Sequence, residues 1–291
     1  MTAAGILIAA LAGQTHFVVI GGLGGETAYE ERFASQVRDL TRAGEALAGE
    51  AARVQSLSGK AATRDAILAA LETVARGATP QDVAIVVLIG HGNVDGPIYK
   101  FNIPDRDLTC DDLRESLDRV PARRQLVVIA TSACGACVTP LATETRVVLA
   151  ATRSGSERNA SVFGRYFVEG LRDPAADRDH DETVTALEAF GYAEQKVQRF
   201  YADEKRLATE HPLMSSRTAD QFVLARRGNA ARTAAAPALA ARKVALEDDI
   251  RALKGRKAEL AKDAYFDELE RVLLELARVQ EEMDGAGRKR P

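Results

Sequence analysis

Two residues that can do nucleophilic chemistry follow long apolar runs in this sequence. His91 comes soon after VAIVVLI, and Cys134 follows RQLVVIATSA. Apolar, β-branched runs of this kind are typical of strands that are covered on both faces in a parallel sheet. Parallel strands bring their carboxyl ends to one edge, and a thiol needs a nearby base, usually imidazole, to react as the thiolate at neutral pH. The sequence therefore predicts a Cys134 nucleophile with His91 as its partner.

The segments around these runs predict an α/β fold. Apolar, β-branched stretches alternate with amphipathic ones, which is the pattern of a mainly parallel sheet flanked by helices. A strand with a glycine-rich turn is predicted over 16–25, further strands near 52–57, 146–152 and 220–225, and helices near 28–48, 64–75, 110–117, 162–171 and 184–205. Thr109 is the predicted cap of the helix that follows it. The main domain is predicted to cover residues 13–227.

The C-terminal part of the sequence has a different periodicity. Residues 228–241 are rich in alanine and predict a linker, and residues 285–291 form a basic tail. Between them, residues 242–284 carry apolar side chains at steps of three and four on a charged background, which predicts a helical hairpin or coiled coil. Such a helical pair either packs on the main domain or mediates self-association.

The first twelve residues, 1–12, have two interpretations. Their short apolar run ends in Ala-Leu-Ala, which fits the small-residue rule for signal-peptidase cleavage and predicts an exported protein, periplasmic or secreted. If the run is a first strand instead, a cytoplasmic location is expected. No other apolar run approaches the ~20 residues that span a bilayer, so the sequence predicts no integral membrane segment in the mature chain.

Composition bears on the class of function. Lys and Arg together number 39 and Asp and Glu 42, so no large basic field indicates a nucleic-acid partner. The three cysteines, Cys110, Cys134 and Cys137, are too few for a disulfide framework and leave a reactive thiol open. Cys134 and Cys137 also have the CxxC spacing of a redox-active dithiol, so thiol–disulfide exchange is an alternative function.

A second predicted site is the acidic loop, residues 177–188, with the sequence DRDHDETVTALE. Its residues at positions 1, 3, 5, 7, 9 and 12 of an EF-hand-type calcium loop are Asp177, Asp179, Asp181, Thr183, Thr185 and Glu188. Position 6, normally glycine, is Glu182, which must adopt an unusual backbone conformation there. A structural Ca²⁺ ion is one interpretation of this loop, and an acidic run that favours a helix N-terminus is the other.

With these motifs the chain resembles the legumain-like cysteine peptidases of the caspase-fold clan, most closely the bacterial members. The resemblance rests on Gly-His-Gly at 90–92 and Ser-Ala-Cys at 132–134, each at the end of an apolar run and in that order. It implies a caspase-like three-layer α/β sandwich and a peptide or protein substrate, with no cofactor required. Cys134 would attack the peptide carbonyl to form a thioester, and His91 would protonate the leaving amine.

The resemblance also implies roles for other residues of the site. The backbone N–H groups of Gly92 and Cys134 would form the oxyanion hole, and the loop with Arg153, Ser154 and Glu157 would line the substrate pocket. The residues after Cys134, Gly-Ala-Cys, depart from the residue-Ser-Gly pattern that is usual in legumain-like enzymes. A catalytically silent member that acts as an interaction scaffold is therefore the alternative function.

Overall fold

A six-stranded sheet forms the centre of the main domain. The structure, a computed structural model, describes residues 13–48, 52–226, 237–257 and 259–288. The strands are β1 (Thr15–Gly21), β2 (Ala52–Ser58), β3 (Val83–Ile89), β4 (Gly92–Asp95), β5 (Ile98–Phe101), β6 (Leu108–Thr109), β7 (Arg124–Ala130), β8 (Arg146–Ala150), β9 (Thr183–Thr185), β10 (Leu213–Met214) and β11 (Val223–Arg226). In the central sheet their order is β10-β8-β7-β3-β1-β2.

Five of these six strands are parallel, and only β10 at the edge runs antiparallel. In register, Ile85 of β3 lies between Phe17 of β1 and Leu126 of β7. Six consecutive residues are buried in each of these three strands, because both faces of the sheet are covered. The predicted fold class, a mainly parallel sheet flanked by helices, is confirmed.

Two layers of helices cover the sheet. The helices are α1 (Thr27–Ala48), α2 (Arg64–Gly77), α3 (Cys110–Asp118), α4 (Val138–Leu141), α5 (Phe163–Gly170), α6 (Ala186–Asp203), α7 (Pro237–Gly255) and α8 (Lys262–Arg288). Helix α5 contacts α1 and α6, whereas α3 contacts α2 and α4. The chain leaves β1 toward β2 and then crosses back toward β3, β7 and β8, so right-handed crossovers put α1 on one face and α2, α3 and α4 on the other.

Several short strands of the structure have no counterpart in the predictions. Strands β4, β5 and β6 form a small antiparallel sheet directly after His91, and β9 pairs with β11, which overlaps the strand predicted near 220–225. The unpredicted strands β4, β5, β6 and β9 are two to four residues long, which is too short for an apolar period to stand out. Helix α6 starts at Ala186, after β9, because Thr185 caps it: the Thr185 and Glu188 side chains form a reciprocal capping box.

The predicted pair of C-terminal helices is present as α7 and α8. They share a small apolar cluster of Leu246, Val272 and Val279. Helix α7 also meets the main domain, since Arg226 pairs with Glu247 at 3.0 Å. Among the described residues, no helix is both long and apolar enough to cross a membrane.

The ends of these helices extend beyond the predicted hairpin. Helix α7 begins at Pro237, inside the predicted linker, and proline suits the first turn of a helix because its missing N–H has no acceptor there anyway. Helix α8 continues to Arg288, inside the predicted basic tail. The predicted signal peptide at 1–12 and the linker residues 228–236 lie outside the described residues.

Candidate active site at the strand ends

His91 follows β3 and lies half-buried beside α1. Its ring packs edge-on against Tyr29 and Phe33 of α1, with centroid distances of 4.7 Å and 5.1 Å. Its backbone carbonyl accepts a hydrogen bond from the Asn102 amide at 3.0 Å. Burial lowers the pKa of the imidazole from its ordinary value, although a hydrogen bond to the Gly24 backbone acts in the opposite direction. The ring is therefore neutral at pH 7 and can accept a proton.

Cys134 lies at the other end of the predicted pair and is completely buried. Strand β7 ends at Ala130, and Ala133, with φ of 57°, turns the chain so that Cys134 begins a short 3₁₀ turn. The thiol donates a hydrogen bond to the Ile129 carbonyl at 3.2 Å and lies 3.4 Å from the Thr152 hydroxyl. Burial raises the pKa of the Cys134 thiol above its ordinary value, so the group is protonated at neutral pH.

The two predicted catalytic side chains have different neighbours. The partners of the thiol lie on β7 and just after β8, whereas the ring of His91 faces the aromatic residues of α1. Both residues are described, and no hydrogen bond joins the Cys134 sulfur to the His91 ring. The role of the pair in catalysis stays a prediction.

Ser132 occupies the position beside the Gly-His-Gly motif. Its hydroxyl donates to the Gly92 carbonyl at 2.8 Å and accepts from the Gly92 N–H at 3.2 Å. Ser132 is only 3% exposed, so this contact closes the gap between the ends of β3 and β7. The Gly92 amide, a predicted oxyanion donor, is thus engaged by a side chain of the protein itself.

Sequence reasoning used Ser132 as part of the Ser-Ala-Cys motif but did not predict its contact with Gly92, although the strand register contains a signal for it. Ile89 of β3 pairs with Ala130 of β7. Continuing this parallel register by two residues brings His91 opposite Ser132, while Cys134 lies two positions further along the chain. A prediction of the register would have placed Ser132 next to the motif.

The predicted pocket loop lies against the segment that carries Cys134. The Ala133 amide donates to the Glu157 carbonyl at 2.7 Å, and a Cβ atom at Gly135 would overlap the backbone of Arg153 and Ser154. The carboxylate of Glu157 lies 2.6 Å from the His211 ring and 3.3 Å from the Arg153 guanidinium. These contacts close the loop over the cysteine.

The cysteines form a pair that the sequence did not predict. Cys110 of α3 and Cys137 are joined by a disulfide. Cys134 is the free cysteine among the described residues, and it is buried. Because Cys137 is bonded to Cys110, it does not form a redox pair with Cys134, and the CxxC interpretation loses its second sulfur.

The acidic loop brings three of its six predicted ligands together. One carboxylate oxygen from each of Asp177, Asp179 and Glu188 lies within 4.8 Å of the others.

The other predicted ligands have partners within the protein. Asp181 pairs with Arg251 of α7 at 3.2 Å. The Thr183 hydroxyl donates to Asp181 at 2.6 Å, and the Thr185 hydroxyl donates to Glu188 at 2.8 Å. Glu182 adopts φ of 66°, as expected for a residue at the position that glycine normally fills.

The fold is that of an α/β protein with a mainly parallel sheet between two layers of helices. No family model matches the sequence, and no curated protein matches it. Among solved structures, the chain is similar to caspase-1 from Spodoptera frugiperda, with 15% identity over 70% of this chain and 87% of that one and a TM-score of 0.49. It is also similar to protein GSU0716 from Geobacter sulfurreducens, with 12% identity over 69% of this chain and 92% of that one and a TM-score of 0.45. Neither is described as a legumain, and that finer resemblance stays a prediction.

Proposed function

We propose that this protein is a catalytically silent, caspase-like scaffold that binds a protein partner and does not cleave peptide bonds through Cys134 and His91. The observation that carries the proposal is the complete burial of the Cys134 thiol. A nucleophile must come within about 3.5 Å of the carbonyl carbon that it attacks, and the pocket loop blocks that approach. The raised pKa and the hydrogen bonds to Ile129 and Thr152 further hold the sulfur as an unreactive thiol.

The C-terminal helices support self-association as the form that binding takes. Three large apolar side chains of α8, Phe266, Leu273 and Leu274, are 49%, 46% and 54% exposed. Apolar side chains grouped on one helix are typical of a protein-binding surface. We expect the full chain to form dimers in sedimentation experiments, and Leu273→Glu combined with Leu274→Glu to give monomers without change in circular dichroism. A monomeric wild-type chain would contradict self-association.

The second candidate function is a cysteine endopeptidase, and one observation favours it. His91 and the Ser-Ala-Cys segment at 132–134 follow neighbouring parallel strands, and the His91 imidazole is neutral at pH 7. In this mechanism the Cys134 sulfur adds to the peptide carbonyl, the amine leaves with a proton supplied through His91, and water hydrolyses the thioester. The loop with Arg153, Ser154 and Glu157 would first have to move away from the cysteine.

Labelling with a thiol-directed peptidyl probe separates the two functions. We expect the native wild-type chain to remain unlabelled, with or without Ca²⁺, and to take up one label per chain after denaturation without reductant, because Cys134 is its free cysteine. Cys134→Ala is the control and should take up none. Labelling of the native chain that is lost in both Cys134→Ala and His91→Ala would overturn the scaffold proposal and favour the peptidase.

We also propose that the protein is exported. The Cys110–Cys137 disulfide supports this, because disulfides persist in oxidising compartments and are rare in the cytosol. Fractionation of cells that express the full chain should recover it outside the cytoplasm with Gly13 as its first residue. Recovery of the uncleaved chain in the cytoplasm, with Cys110 and Cys137 reduced, would contradict export.

A further inference from the structure

Three carboxylates of the acidic loop meet close to the start of α6. One oxygen from each of Asp177, Asp179 and Glu188 lies within 4.8 Å of the others. Like charges at this distance repel one another, and within the described residues none of the three forms an ion pair. The three carboxylates therefore converge without a cationic side chain paired to any of them in the described part of the chain.

Asp177 provides an independent sign that the cluster lacks a ligand. This residue is only 7% exposed. Its Oδ2 accepts a hydrogen bond from the Glu182 amide at 3.2 Å, but its buried Oδ1 has no hydrogen-bond partner among the described residues. Buried polar atoms are almost always paired, and an unpaired carboxylate oxygen destabilises the folded state. A cation at the centre of the cluster would satisfy this oxygen.

Glu188 is held in the orientation that such a cation requires. Its Oε1 accepts from the Arg178 amide at 2.9 Å, and its Oε2 accepts from the Thr185 amide and hydroxyl at 2.9 Å and 2.8 Å. These bonds fix the carboxylate. Both lone pairs of Oε2 are used by Thr185, whereas Oε1 accepts one hydrogen bond and keeps its second lone pair for a metal. Ligands on opposite sides of a Ca²⁺ ion lie about 5 Å apart, since Ca²⁺–oxygen distances are about 2.3–2.6 Å. The oxygens of this cluster fit within that limit.

We propose that Asp177, Asp179 and Glu188 together bind one Ca²⁺ ion. The set is smaller than the six positions of the sequence pattern, because Asp181 is directed to Arg251 and α7, and the rest of the coordination shell is left to carbonyl groups and water. The ion would fasten the acidic loop to α6, next to the contact between this loop and the C-terminal helices. The proposal does not depend on whether Cys134 is reactive.

Calcium titration of the full chain tests the site, with Asp179→Asn as the main variant. Asp179 is exposed, so its replacement should leave the fold intact, which circular dichroism checks. After treatment with chelator, we expect calorimetry to show one Ca²⁺ per wild-type chain, with affinity at least about tenfold weaker in Asp179→Asn. Millimolar CaCl₂ should raise the melting temperature of the wild type, and MgCl₂ should do so much less.

Asp203→Asn is the matched control, since Asp203 is also exposed and lies at the far end of α6. It should bind Ca²⁺ like the wild type. Absence of Ca²⁺ binding by the wild type would overturn the proposal, as would equal loss of affinity in Asp179→Asn and Asp203→Asn. Equal affinities for Mg²⁺ and Ca²⁺ would overturn the assignment to calcium.

Discussion

The strand ends and the acidic loop both bring reactive residue types together, but they differ in how those groups are satisfied. At the strand ends, Ser132 bonds to the Gly92 backbone and the Cys134 thiol bonds to the Ile129 carbonyl. In the acidic loop, three carboxylates converge and Oδ1 of Asp177 has no partner among the described residues. The first set of groups is complete without a ligand, whereas the second is not.

Residue type and spacing therefore do not by themselves make a site. A buried hydroxyl or thiol whose hydrogen bonds are all made within the protein stabilises the fold, and it must break those bonds before it can act on a substrate. A buried carboxylate oxygen left unpaired has the opposite meaning, because its desolvation is uncompensated until a ligand arrives. Substitutions at the strand ends and in the acidic loop test these two cases separately.

The largest expected effect comes from forcing the pocket loop away from the cysteine with Gly135→Ala. A Cβ atom there would overlap the backbone of Arg153 and Ser154, so the loop must shift. We expect a loss of about 3 kcal/mol in the free energy of unfolding. The Cys134 thiol should also react at least about tenfold faster with Ellman's reagent, measured well below the unfolding transition.

Gly191→Ala is the control for this substitution, because a Cβ atom at Gly191 of α6 meets no other atom within 4 Å. It should stabilise the chain by up to about 1 kcal/mol and leave the thiol unreactive. If Gly135→Ala lowers the stability but its thiol reacts with Ellman's reagent as slowly as that of the wild type, then the sheet, and not the pocket loop, protects Cys134.

Ser132→Ala tests the satisfied contact at the strand ends. The variant leaves the buried Gly92 N–H without its acceptor and the Gly92 carbonyl without its donor, so we expect a loss of about 2 kcal/mol. Urea denaturation measures the change. Ser156→Ala is the control, since Ser156 is exposed and its hydroxyl bonds to the Ser154 hydroxyl, and its effect should stay within about 0.5 kcal/mol. Equal effects in both variants would mean that Ser132 is not structural.

The sequence was sufficient for the parts of this site that depend on long periodic patterns. The buried strands that precede His91 and Cys134 could be predicted from their apolar runs, and the Thr109 cap from its position before an amphipathic segment. The turn at Ala133 could not, because alanine has no preference for positive φ and only tertiary contacts hold it there. That turn places the Cys134 thiol 3.4 Å from the Thr152 hydroxyl.

In the acidic loop, too, a tertiary contact could not be predicted from the sequence, here at the fifth position, Asp181. Its spacing predicts six ligands, but Asp181 is taken by Arg251, which lies 70 residues further along the chain. Sequence spacing describes a loop in isolation and carries no information on such a distant partner. Three of the predicted ligands are nevertheless brought together, because the capping box at Thr185 fixes Glu188 relative to the start of α6.

A smaller effect is expected from Glu182→Gly in the acidic loop. Glu182 adopts φ of 66°, a conformation that costs an L-residue about 1–2 kcal/mol and glycine almost nothing. The greater flexibility of glycine in the unfolded chain and the loss of the exposed pair with Lys243 offset part of this gain. We expect a net stabilisation of about 0.5 kcal/mol in urea denaturation. Glu204→Gly, at a residue with φ of −75°, should instead destabilise the chain, and stabilisation by both would contradict the strain at Glu182.

The smallest effect is a pH dependence of stability that Ca²⁺ should remove. Burial, with the charges of Asp181 and Glu188, raises the pKa of Asp179 above its ordinary value, so the folded chain holds this proton more tightly than the unfolded chain does. Without Ca²⁺, the contribution of Asp179 to stability therefore falls as the pH rises from about 4 through the raised pKa. The free energy of unfolding in chelator should decline less over this range in Asp179→Asn than in the wild type. With saturating Ca²⁺ the wild type should lose that excess decline, because the bound cation favours the ionised carboxylate. An excess decline that persists with bound Ca²⁺ would mean that Asp179 does not face the ion.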